Sequence, residues 1–375
     1  MEKYKINEPV ELTCLKRLKF EDLCSSCAHI QFLEGILNRC TPECLDLWLY
    51  NTDALAYLLT QDKAENLKKL KLTVSGISRE SWKHLGNLRF LRLSSLFFCS
   101  NDSAHEPDDL QHWHLFCQNV SPLLEEFVTN LSNLFPPNLI FPNLKSIRIV
   151  NFIAWSYFTP DRFPSLVEIT FDFDGPLTIK AQNEVPHRGV SSLSILIKGD
   201  REESYSLREG LMNLLAYLKR QFPEVSSLTF SIRRFWRTIL PDIFESFSKL
   251  ITLTLDGNCD FSCMSGMKES VVNENLEKGL PIERIPRRKS ITDFVELETI
   301  KFGREFVMDP LMLRYCLPRV PKLRQIYLYW NGSLSTPLLW DSFSHLESIF
   351  IFFHADDKQV AMTQVAETFP NAFIE

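Results

Sequence analysis

Residues 66–72 read Asn66-Leu67-Lys68-Lys69-Leu70-Lys71-Leu72, and residues 321–328 read Pro321-Lys322-Leu323-Arg324-Gln325-Ile326-Tyr327-Leu328. Each carries an apolar residue, a second three positions later and a third two positions after that. The phrase recurs along the chain. Leu88-Leu91-Leu93, Leu144-Ile147-Ile149, Leu166-Ile169-Phe171, Leu250-Leu253-Leu255, Leu297-Ile300-Phe302 and Leu346-Ile349-Ile351 are further clean copies. Leu15, Cys44 and Val225 open three more, and Leu124-Phe127-Thr129 and Val190-Leu193-Ile195 are weaker ones. The total is about thirteen. The last two apolar positions are two apart, so an extended strand sends both to one side and the residues between them to the other. One side is core and the other meets water.

Between the phrases the spacing turns helical. Ser206-Leu207-Arg208-Glu209 is a capping box leading into Leu211, Leu214, Leu215 and Leu218. Asp309-Pro310 and Thr336-Pro337 set a capping side chain before a proline at the first helical position. Residues 28–40, 53–63 and 357–369 have amphipathic spacing. A strand, a crossover helix and a parallel strand, recurring mostly every 20 to 26 residues or so, make the leucine-rich-repeat unit, which must stack to bury its apolar face. The sequence therefore predicts an α/β leucine-rich-repeat solenoid, a horseshoe with parallel strands on its concave face and helices and loops on its convex face. One domain is expected over residues 1–375. Three intervals are long and read as insertions: Ser94 to Pro122, Lys198 to Glu224, and Asp256 to Glu296. The second reads as a long helix, and the third as a flexible loop over residues 257–295.

Segments 66–72 and 321–328, with irregular lengths between copies, resemble the ribonuclease-inhibitor-like branch of the leucine-rich-repeat superfamily. More narrowly they resemble the receptor halves of F-box leucine-rich-repeat proteins. The likeness covers residues 12–370. It implies a protein-protein interaction scaffold, of the kind that recognises substrates for cullin-RING ubiquitin ligases. Members of that family carry an adaptor-binding helical segment before the repeats, whereas here the first phrase opens at Leu15. No complete F-box is expected, and any link to a ligase is expected to be indirect.

The 375 residues are 45% hydrophobic and 23% charged, with a formal net charge of -6. This is the balance of a folded soluble chain. The acidic sum excludes a surface that is basic throughout, so nucleic acid or an anionic membrane would need a local patch. No membrane partner is expected. Met1-Glu2-Lys3-Tyr4-Lys5 lacks the apolar run of a signal peptide. A cytoplasmic or nuclear monomer is expected, with its ten cysteines as free thiols.

His105, His112, His114 and Cys117 are ligand types for zinc, but their spacing fits none of the common motifs, and they read as a polar insertion loop. Cys24-Ser25-Ser26-Cys27 has no second ligand pair near it. No metal or other cofactor is expected. Glycine-rich phosphate loops and nucleophile motifs are absent, and the chain is read as a non-enzyme. Arg284-Ile285-Pro286-Arg287-Arg288-Lys289-Ser290 is a basic run that makes Ser290 a candidate phosphorylation site, against a plain reading as solvated loop.

The residues two, four and six positions after the first leucine face solvent on each strand. In the first four repeats these include Arg17, Lys19, Asp46, Trp48, Tyr50, Lys69, Lys71, Phe90 and Arg92. The middle repeats offer mostly Ser and Thr, and the last two present Tyr327, Tyr329, Phe350 and Phe352. A protein partner is expected on this concave face, at the C-terminal aromatics and then at Trp48, Tyr50 and Phe90. The alternative is a nucleic-acid binder on the basic N-terminal strands, with Trp48, Tyr50 and Phe90 as stacking platforms.

Overall fold

The computed structural model describes residues 15–23, 27–50, 52–100, 107–131, 135–136, 138–150, 158–173, 185–198, 205–234, 239–258, 261–281, 287–304, 306, 310–330, 346–353 and 373–374. The chain divides into two compact units, Met1–Val167 and Glu168–Glu375.

The first unit carries strands β1 (Arg17–Leu23), β2 (Cys44–Leu49), β3 (Lys69–Val74), β4 (Ser95–Ser100), β5 (Glu126–Thr129) and β6 (Ser146–Val150). They pair in sequence order and parallel. Helices α1 (Cys27–Leu37), α2 (Leu55–Leu58), α3 (Gln61–Asn66), α4 (Arg79–Asn87) and α5 (Pro107–Val120) connect them. The second unit holds β7 (Glu168–Phe173), β8 (Ser192–Ile197), β9 (Ser227–Arg234), β10 (Thr252–Asn258), β11 (Thr299–Phe302), β12 (Gln325–Trp330), β13 (Ser348–Phe353) and β14 (Phe373–Ile374), again parallel and in order. Its helices are α6 (Tyr205–Gln221), α7 (Ile239–Ser246), α8 (Phe261–Ser265), α9 (Glu269–Glu277) and α10 (Pro310–Tyr315). Both units thus have the leucine-rich-repeat fold. Among the described residues no helix is long and apolar enough to cross a membrane.

The repeat phrase works as the strand argument requires. Ile169, Leu193, Leu228, Leu253, Ile300, Ile326 and Ile349 stand in register on successive strands, and all are buried. Within each unit a recurring lock joins neighbouring repeats, one carbonyl that accepts two N–H bonds. Ser226 O takes those of Ile251 (2.8 Å) and Thr252 (3.0 Å), and Glu298 O takes those of Arg324 (2.8 Å) and Gln325 (3.0 Å). The weak copies at Leu124 and Val190 prove to be true strands, β5 and β8.

Two phrases lie in a different register from the one read above. On β2 the residues in line with Leu70 and Leu72 are Leu45 and Leu47, so that repeat opens at Pro42 rather than Cys44. The offset of two leaves every side chain on its expected face. At the fourth repeat Leu96 and Phe98 align with Leu70 and Leu72, which makes the phrase Leu93-Leu96-Phe98 rather than Leu88-Leu91-Leu93. That offset is five, an odd number, and it exchanges the faces. Phe90 is accordingly core, 4% exposed, with its ring edge-on to Phe116 at 6.0 Å.

The interval from Ser94 to Pro122 thus holds a strand and a helix of the repeat and not only a polar insertion loop. β4 is followed by α5, whose Trp113, Phe116 and Cys117 are buried at helical spacing. Trp113 contacts Trp82, Phe98 and Phe135, and ring contacts continue from Phe135 through Phe127 and Phe141 to Phe163. The interval from Lys198 to Glu224 holds the expected long helix, α6. Residues 53–63 form a 3-10 turn and two short helices instead of one. The segment read as a loop over 257–295 contains α8, α9 and a 3-10 turn at Ile291–Asp293, with Cys263, Met264, Val272 and Ile291 buried. It is pinned where Arg288 N donates to Gly266 O (3.0 Å), at a left-handed glycine whose φ is +67°. Thr336, Asp309, His105, Cys24 and residues 357–369 lie outside the described residues.

Candidate functional site: an aromatic face on β12 and β13

Alternation along β12 and β13 buries Ile326, Leu328, Ile349 and Ile351 and turns Tyr327, Tyr329, Phe350 and Phe352 to the other side. The strand register sets Tyr327 beside Phe350 and Tyr329 beside Phe352. Neighbouring strands stand about 4.8 Å apart, close to the thickness of stacked rings. Tyr327 and Phe350 have centroids 4.4 Å apart and planes 11° from parallel. Tyr329 and Phe352 lie at 5.1 Å and 27°, and Tyr327 and Phe352 at 6.4 Å and 14°. The four rings form one group. Tyr329 is 37% exposed and the other three are half-buried. The next strand, β14, pairs with β13 with Phe373 in register with Phe350.

The opposite side of the row is cationic. Lys301, in register with Tyr327 on β11, places its Nζ 4.9 Å from the Tyr327 ring centre. The Arg304 guanidinium lies 5.9 Å from the Tyr329 ring centre. Both side chains are exposed. Elsewhere in this unit Lys198, Lys249, Arg287, Arg288, Lys322 and Arg324 each meet a carboxylate. Lys301 and Arg304 meet rings and, among the described residues, no carboxylate. Between them Gly303 gives the Asp256 side chain room to lean across: a Cβ built there would overlap it. Ser231 Oγ donates to the same carboxylate at 3.4 Å.

The first unit has a second aromatic pair. Trp48 and Tyr50 stack at 6.3 Å and 28°, and are 40% and 53% exposed. Arg17 and Lys19 on β1, and Lys69 and Lys71 on β3, are in register with Cys44 and Asp46, the positions before that pair on β2, and Lys71 pairs with Asp46 at 3.2 Å. Lys71 Nζ also stands 5.4 Å from the centre of Phe97, which holds the solvent-facing place that the sequence reading gave to Phe90. Phe97, Lys301 and Arg304 are the residues that reading missed. The phrase beginning at Leu93 was the signal for Phe97. Lys301 sits four positions after Leu297, on the solvent-facing series of its own repeat.

Ser290 is 1% exposed. Its hydroxyl accepts from Arg287 Nη1 (2.8 Å) and lies 2.7 Å from that of Thr292, while its N–H donates to Asp293 Oδ2 (2.8 Å). The Arg287 guanidinium grips Asp293 and holds its carboxyl below the usual range. The solvated loop expected at Ser290 is thus a packed turn, and a kinase reaches the hydroxyl only by opening it. His112, His114 and Cys117 are carried on α5, and among the described residues no three metal-ligating side chains come together.

No protein-family model and no curated protein matches the chain. Among solved structures it is similar to one in the yeast Rad7–Elc1 complex, at 16% identity and a TM-score of 0.44, covering 92% of this chain and 82% of that one. A Bacteroides fragilis protein gives 9% identity and a TM-score of 0.33, covering 91% and 75%. The TLR13–ssRNA13 complex gives 13% identity and 0.33, covering 92% of this chain and 55% of that one. Likenesses this distant carry no weight for function, and the fold stands on the strand register and burial described above.

Proposed function

We propose that the chain is a binding scaffold, with no catalysis of its own, that takes a protein partner on the solvent face of β12 and β13. The observation that carries this is the in-register row of Tyr327, Tyr329, Phe350 and Phe352, four large rings left partly in water on a rigid sheet. Contiguous apolar surface of this kind usually marks an interaction site, and aromatic side chains supply most binding hot spots. The test is affinity purification of the intact chain from its source cells beside the Tyr327→Ala/Phe350→Ala variant. A partner retained by the native chain and lost by a folded variant supports the reading. Equal recovery removes it.

The finer reading, substrate recognition for a cullin-RING ubiquitin ligase, is supported by the resemblance of the repeat phrases alone. That resemblance covers the repeats, the receptor half of such proteins, and the link to a ligase is proposed as indirect. The ligase should then co-purify with the chain from cells. If no ligase subunit co-purifies, this finer reading falls.

A second reading, nucleic-acid binding, is favoured by one observation, the exposed Trp48–Tyr50 stack on the strand whose earlier positions, Cys44 and Asp46, have Arg17, Lys19, Lys69 and Lys71 in register with them. Phosphate contacts would make affinity fall linearly with log salt, about one unit of slope per phosphate neutralised, which an apolar protein interface does not do.

A further inference from the structure

We infer that the aromatic face of β12 and β13 selects an acidic segment of its protein partner, a carboxylate set beside an apolar side chain, with Lys301 and Arg304 supplying the opposite charge. This rests on the binding reading above and specifies the partner's chemistry. Three observations carry it. Lys301 and Arg304 have no carboxylate among the described residues, whereas most of the basic groups around them in the same unit do. A cation without an internal partner on the rim of an apolar patch steers and registers a partner of opposite charge.

Ring orientation is the second observation. Lys301 lies on the β11 side of Tyr327 and Phe350 on its β13 side, so both faces of that ring are taken. What Tyr327 offers to solvent is its edge. An aromatic edge is the positive end of the ring quadrupole, and here it sits beside Lys301, so this part of the surface favours negative charge. Third, the same stacking tells against nucleic acid at this site, because a base needs an open ring face to stack on and Tyr327 has none. Asp256 on β10 bounds the acidic-binding area, since its carboxylate leans over Gly303 beside Arg304.

The test is selection from a random-peptide phage library on the full chain. Peptides carrying Asp or Glu next to Leu, Phe or Tyr should be enriched. Their affinity should fall about tenfold or more on Lys301→Glu/Arg304→Glu, by charge repulsion, and by less on the milder Lys301→Gln/Arg304→Gln. Lys301 and Arg304 are both exposed, so the variants should melt like the native chain. Neutral or basic peptides that still need Tyr327 and Phe350 would overturn the acidic partner while leaving the binding face intact. Peptides indifferent to Tyr327 and Phe350 would remove both, as would no enrichment at all. Preferential capture of a single-stranded oligonucleotide lost on Tyr327→Ala would replace the inference with nucleic-acid binding.

Discussion

Tyr327 and Phe350 stack face to face across adjacent parallel strands, centroids 4.4 Å apart and planes 11° from parallel. A pair so placed contributes about 0.5–1.5 kcal/mol beyond the area it buries. A double-mutant cycle with Tyr327→Ala and Phe350→Ala, read by urea unfolding, should return a coupling of that size. Ile326→Ala, one position away but in the core, should cost about 2–5 kcal/mol by itself. If Tyr327→Ala costs as much as Ile326→Ala, the ring is part of the core and not of a binding face.

The same alternation gives an opposite expectation for two phenylalanines in the first unit. Phe90 is buried against Phe116, and Phe97 stands half-exposed under Lys71. Phe90→Ala should destabilise by about 3–5 kcal/mol, and Phe97→Ala by much less. Thermal melts of the two variants side by side decide it: equal losses would contradict the register of β4.

That contrast marks where the sequence is readable and where it is not. β12 and β13 were legible because each holds one phrase and strict alternation, and the face of all four rings follows. Around β4 the sequence offers two phrases that share Leu93, Leu88-Leu91-Leu93 and Leu93-Leu96-Phe98, and nothing local separates them. Only pairing with Leu70 and Leu72 does so. α5 was hidden by its histidines, although Trp113, Phe116 and Cys117 already had helical spacing. Lys301 stands on the solvent-facing series of its repeat, four positions after Leu297, whereas Arg304, seven after it, does not. Their meaning lies in what the next strand places beside them, which is a property of register and not of local sequence.

The Arg287–Asp293 pair predicts a pH dependence. Asp293 is held below its usual range, chiefly by its hydrogen bond to Arg287. A carboxyl depressed in the folded state stabilises at pH above its unfolded value of about 3.9, and that stability is lost as pH falls through the folded value. Unfolding midpoints of the native chain and Asp293→Asn should differ at pH 7 and converge toward pH 3. A difference that persists unchanged at pH 3 would show that Asp293 acts through packing rather than charge.

Proteolysis should find the C-terminal end of α9. Residues 276–281 are all exposed, Lys278 follows the last helical residue, and Gly279 breaks the chain direction at a φ of +63°. The Lys278–Glu274 ion pair is a surface contact within one helix and gives little protection. Limited trypsin treatment should nick first after Lys278. A first cut inside β10 or β11, which flank this segment, would show that the sheet opens more readily than the helical excursion.

Gly303 gives the last expectation. Its φ is not in the left-handed region, so an alanine there strains nothing in the backbone by itself. The obstacle is Asp256, whose side chain occupies the space that a Cβ would take, and the overlap includes the Asp256 Cβ, 2.6 Å away. Rotating the carboxylate aside therefore does not clear the site. Gly303→Ala should destabilise by about 1–3 kcal/mol, the usual cost of overpacking. Because Lys301 and Arg304 lie on either side, it should also weaken partner binding. Asp256→Ala keeps the clashing Cβ and should not rescue Gly303→Ala. Asp256→Gly removes it and should restore a large part of both stability and binding. Rescue by Asp256→Ala as complete as by Asp256→Gly would mean that only the carboxylate is in the way, and that the strands approach less closely at this point than the structure has them.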